Sequence, residues 1–99
     1  MAFDPGTLNS ALAVAAGEDS ALIAELREAF LESARRHLDL LSRSRCDANW
    51  QLAACRLKGL AASFAMEGLV DLALEAEGGA PGDPVVQRKI NQAILELGG

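Results

Sequence analysis

Residues Leu52 to Leu69 read LAACRLKGLAASFAMEGL, and this stretch carries most of the information in the chain. At about 100° per residue it makes a helix with two unlike sides. Trp50, Ala53, Leu57, Leu60, Ala61 and Phe64 share one side and are expected in a core. Leu52, Cys55, Gly59, Ala62 and Met66 share the other, with Lys58 on its flank. A solvent-facing helix side normally carries Glu, Lys and Gln. This one is small and apolar around a single thiol, with a cation one turn away. It is either a second buried face or a surface meant for a partner. Gly59 costs a helix interior about 1 kcal/mol relative to alanine, so close approach of another surface is a natural compensation.

Outward from that helix, the chain is punctuated as a series of helices. Upstream, Asp4-Pro5 starts a short helix over about Pro5 to Ala16, and Gly17 ends it. A longer helix opens at Asp19 or Ser20 and carries Ile23, Leu26, Phe30, Ala34, Leu38 and Leu41 at three- and four-residue steps. It is expected to end near Ser44. Asp47 is expected to cap the central helix, which runs from about Ala48 through Phe64. Downstream, Glu67 to Glu77 forms a fourth helix with Leu69, Leu72, Ala73 and Ala76 inward. After the break at Gly78 to Gly82, Asp83-Pro84 starts a last helix with Val86, Ile90, Ala93, Ile94 and Leu97 inward. Strand signals are nearly absent. The expectation is an all-α fold: an antiparallel four-helix bundle, with the short first helix as a lid across one end.

Composition narrows the function. Ninety-nine residues make one domain, expected to span 1–99. With four aromatic residues and 51% hydrophobic residues, the core is expected to be mainly Leu and Ala. The net charge of −5 argues against nucleic acid and anionic membranes as partners. Mean hydropathy is only +0.15, and no apolar run approaches the roughly 20 residues of a membrane span. Met1 to Pro5 shows no basic segment followed by an apolar run, so a cytoplasmic chain with reduced thiols is expected. On one helix Cys46 and Cys55 would stand about 13.5 Å apart, too far for a disulfide. One histidine and two separated cysteines make no metal site, and no cofactor is implied.

The run Cys55-Arg56-Leu57-Lys58-Gly59 resembles the His-x-Leu-Lys-Gly motif of histidine-containing phosphotransfer (HPt) domains. In that family a small residue follows two positions on, here Ala61, and a glycine usually stands ten positions after the histidine, here Ala65. Leu69, Leu72 and Glu77 are similar to the family's next helix. Phe30, Leu38, Leu41 and then Asp47 to Trp50 are similar to its entry into the central helix. The resemblance runs from about Leu22 to Glu77. It implies a four-helix bundle that docks the receiver domain of a response regulator or of a hybrid histidine kinase. It gives Lys58 the role of offsetting phosphate charge, and Gly59 that of leaving room for the receiver.

Two positions depart from the family. Cys55 stands where the phospho-accepting histidine belongs, and a free thiol with a pKa near 8.5 is only a few per cent thiolate at neutral pH. Ala65 replaces the glycine, which bears on where the central helix ends. The resemblance therefore implies a regulatory, competing binding module without enzymatic activity. It would dock through Leu52, Cys55, Lys58, Gly59, Ala62 and Met66. Other readings stay open: phosphotransfer through Cys55 or His37, a thiol redox switch at Cys55, a designed His-to-Cys exchange in an active protein, or a helical interaction domain outside signalling. The sole histidine, His37, reads as a boundary residue beside the inward stripe. Cys46 reads as an ordinary loop residue, and Glu75 and Glu77 as a solvated face.

Overall fold

Asp4 and Asp83 each sit just before a proline, and each carboxylate accepts a hydrogen bond from the backbone N–H two residues on, at 2.9 Å. Those caps start the first and last of five helices in the computed structural model, which describes residues 4–98. The reading of the chain start at Met1 to Phe3 lies outside them. The helices are α1 (Pro5–Ala16), α2 (Ser20–Arg43), α3 (Asp47–Ser63), α4 (Glu67–Glu77) and α5 (Pro84–Glu96), with no strand among the described residues. Gly17 ends α1 at φ 69°, a backbone conformation glycine adopts without steric cost. Asp19 then caps α2, accepting from the N–H groups of Ala21 and Leu22 at 3.1 Å. The expected cap at Asp47 is displaced by one residue. Cys46 occupies the cap position without a side-chain bond, and Asp47 is the first helical residue, where its charge favours the positive helix end.

The principal packing contacts run α2 to α3, α3 to α4, α4 to α5 and α5 back to α2, while α1 packs on α2. This pattern of neighbours is consistent with the expected bundle. One continuous apolar cluster draws on all five helices, from Leu8 and Leu12 of α1 to Leu97 just past α5. The radius of gyration, 13.3 Å, matches the ~13 Å of a folded chain of this length. Leucine and alanine dominate the core, as composition suggests, but three aromatics anchor it. Phe30 of α2 meets Phe64 edge-on, with ring centroids 5.0 Å apart. Trp50 is fully buried and donates its indole N–H to the Ala76 carbonyl at 2.6 Å, which ties α3 to the end of α4. Arg27 of α2 donates to the Leu97 carbonyl at 2.8 Å, satisfying an orphan acceptor beyond α5.

The end of α3 positions everything that follows. Phe64 is its C-cap and Ala65 takes φ 55°, the left-handed region. The Ala65 N–H bonds the Ala62 carbonyl at 3.1 Å, and the Met66 N–H bonds the Ala61 carbonyl at 2.9 Å. That pair of bonds is the Schellman closure, normally built on glycine. The helical wheel therefore stops before Met66. Met66 folds under the turn and is only 5% exposed, so its expected place on the outer face with Cys55 is corrected: it belongs to the core. This is the hydrophobic residue that commonly seals such a closure.

Candidate functional site

Four of the six residues expected on the docking face share an exposed side of α3. Leu52 is 50% exposed, and Cys55, Gly59 and Ala62 are exposed as well. That side is not a second buried face. The buried side of α3 holds Trp50, Ala53, Ala54, Leu57 and Ala61, with Leu60 and Phe64 partly buried against the core. A Cβ built on Gly59 would meet nothing within 4 Å. The protein's own packing thus gives no reason for a glycine there, and the helix bears its propensity cost without internal compensation. Ser63 returns its hydroxyl to the Gly59 carbonyl at 2.8 Å, so the backbone stays satisfied.

Lys58 is about one-third exposed but is not a free charge. Its ammonium pairs with the Glu77 carboxylate at 2.7 Å. The close contact with the Glu77 carboxylate raises its pKa, against partial desolvation and assisted by the Glu77 and Cys55 charges. Gln51, one helical turn before Cys55, donates to the Glu77 carbonyl at 2.5 Å. Together these contacts fasten the α4 flank of the face. They also correct the reading of Glu77 as part of a solvated face, whereas Glu75 is exposed as that reading expects. Glu77 is drawn onto α3, and Glu75 pairs with Lys89 of α5 at 3.1 Å.

The opposite flank, toward α2, adds residues that the helix spacing does not point to. Leu40, Arg43, Ser44, Asn49, Leu52 and Arg56 line a shallow groove of about 230 Å³ there, floored by Ala53. Arg56 makes no ion pair among the described residues, whereas Arg43 is held by Asp39. His37 is half-buried, and its Nδ1 is buried without a hydrogen-bond partner. Its pKa is lowered, first by burial and then by the charges of Arg36 and Arg56. It is a boundary residue, as its place on the wheel indicates. Both cysteines are exposed and free. Among the described residues no group of His, Cys, Asp and Glu could hold a metal, and no helix is long and apolar enough to cross a membrane. A larger concavity, about 550 Å³ between α4 and α5, is floored by Leu72 and Ala93 and edged by both signs of charge.

No protein-family model matches the chain, and no curated protein or solved structure matches it either.

Proposed function

We propose that the chain is an HPt-like docking module: α2 to α5 form an antiparallel four-helix bundle, and the exposed α3 face engages a receiver domain without accepting its phosphoryl group. The observation that carries this reading is Gly59. It is a glycine in the middle of a helix, in open space, beside an exposed thiol and between exposed Leu52 and Ala62. Such a position suits a partner backbone that comes close. A thiol in the middle of α3, at the centre of the face, stands in place of the imidazole whose ring nitrogen suits phosphoryl acceptance. The Lys58 charge is already matched by Glu77, which lowers the need for an incoming anion. In a cell the module would compete with a true phosphotransfer protein for the same receiver.

The substitution Gly59→Gln tests this. It removes a helix-weakening residue and its Cβ enters open space, so the fold is expected to be as stable or slightly more so. Affinity for a receiver that binds the parent is expected to fall at least about tenfold, roughly 1.4 kcal/mol. Gln92→Ala on α5 is expected to change little. Equal effects of the two substitutions by calorimetry would place the partner elsewhere.

A further inference from the structure

The charge of this chain is unevenly placed. Positions 35–58 hold six basic residues (Arg35, Arg36, Arg43, Arg45, Arg56 and Lys58) and two acidic ones, a net of +4. The remaining positions hold three basic and twelve acidic residues, a net of −9, giving −5 for the whole. The fold brings the basic segment together, because it is the last half of α2, the connection, and most of α3, and those two helices pack on each other. Within it, the cations differ in availability. Lys58 is neutralised by Glu77 and Arg43 by Asp39, while Arg56 has no ion pair among the described residues. Beside Arg56 lies the α2–α3 groove, where two leucines from different helices, Leu40 at 40% and Leu52 at 50% exposure, face solvent across Ala53.

We propose that the docking surface continues from the Cys55–Gly59 face across Leu52 into this groove, and that it takes an amphipathic helix of the partner whose apolar stripe is edged by Asp or Glu. Arg56, rather than Lys58, supplies the attracting charge. The groove between two packed helices accepts a ridge of side chains from a third. Leu40 and Leu52 meet its apolar stripe. The unpaired guanidinium of Arg56 meets its acidic edge and can bind a carboxylate through two N–H groups. Complementary charge of this kind chiefly governs the encounter rate and the choice of partner. The proposal names the partner chemistry of the site proposed above and rests on that reading.

Two arms separate the two claims. In the first, the full isotopically labelled chain is titrated with a short amphipathic helical peptide carrying a leucine stripe edged by glutamate. The same peptide with lysine for glutamate is the comparison. The acidic peptide is expected to shift amide signals of Leu40 to Ser44 and Asn49 to Arg56, and to do so less as salt rises, whereas the basic peptide leaves them in place. Shifts confined to the α4–α5 concavity, equal shifts with both peptides, or no shifts at all would overturn the groove. Shifts that grow with protein concentration alone would assign it to a second copy and also overturn the proposal. In the second arm, Arg56→Gln, Lys58→Gln and Arg88→Gln are measured against a receiver that binds the parent. Arg56→Gln is expected to weaken binding about threefold to fivefold and to flatten its salt dependence, more than either other variant. A larger loss with Lys58→Gln would return the attracting charge to the α4 flank and overturn the assignment. If the acidic peptide occupies the groove but no receiver binds, the phosphorelay reading falls while the groove stands.

Discussion

Replacing Ala65 with glycine should stabilise this protein, although glycine weakens most helical segments. Ala65 lies at φ 55°, immediately past the C-cap of α3. An L-residue with a Cβ there costs about 1–2 kcal/mol, which glycine avoids. Glycine also gains freedom in the unfolded chain, which takes back about 0.4–1 kcal/mol. The balance is a stabilisation of about 0.5–1 kcal/mol, or about 2–8 °C in Tm for a domain of this size. The two closure bonds at 3.1 and 2.9 Å involve backbone atoms only and survive the change. Thermal and urea unfolding followed by circular dichroism measure it. Ala62→Gly, three residues earlier and still inside α3, is the comparison and should lose about 1 kcal/mol. Opposite signs for the two substitutions support the closure at Ala65. If Ala65→Gly also destabilises by about 1 kcal/mol, α3 runs on through that residue. Met66 would then return to the exposed face, and the placement of α4 argued from the turn would be wrong.

Further outcomes follow from the same contacts. Trp50→Phe removes the buried indole bond to Ala76 and should cost about 1–2 kcal/mol in urea unfolding, with the Ala76 carbonyl still bonded to the Gly79 N–H. A loss well below that would mean the indole N–H contributes nothing beyond packing. His37 has a pKa lowered below its ordinary 6.5, so above that value neither state is protonated and no stability depends on it. As pH falls through 6.5 the unfolded chain takes up the proton first, and stability declines until the lower folded-state pKa is passed. His37→Gln should therefore flatten the stability difference between pH 7.5 and 5.5; an unchanged slope would show that His37 is not its source. Gly59→Ala should raise stability by up to about 1 kcal/mol, since its Cβ enters open space. A destabilised variant would mean that the backbone at Gly59 is not ordinary helix.

The helices were legible because their ends carry strong local chemistry. Asp4-Pro5, Gly17, Asp19 and Asp83-Pro84 act within a turn of themselves, and each does in the structure what its residue type requires. The end of α3 was hard to read for the converse reason. Its left-handed residue is an alanine, so the usual glycine mark is absent and nothing in the sequence stops the wheel before Met66. The spacing therefore points Met66 outward, whereas the turn buries it. Of the site, spacing alone puts Leu52, Cys55, Gly59 and Ala62 on one side of α3, while the exposure of that side depends on how the helices pack. The pairing of Lys58 with Glu77 does not follow from spacing, because it joins residues on different helices and depends on how α3 and α4 meet. The α2 flank escaped notice for the same reason. Leu40 looks unremarkable on α2 and joins Leu52 in one surface only when α2 and α3 pack. The clustering of basic residues between positions 35 and 58 was the signal in the sequence that could have revealed it.

The central claim is that this face binds a receiver and does not take its phosphoryl group. The most direct measurement incubates the parent chain and Cys55→His with a panel of radiolabelled phospho-receivers, scoring label on the chain and binding in parallel. The account predicts that at least one receiver binds both proteins, that label stays off the parent, and that acid-labile label appears on Cys55→His. Stable label on the parent, at His37 or Cys55, would contradict the inertness. A folded Cys55→His variant that neither binds nor accepts label from any receiver in the panel would contradict the docking reading itself.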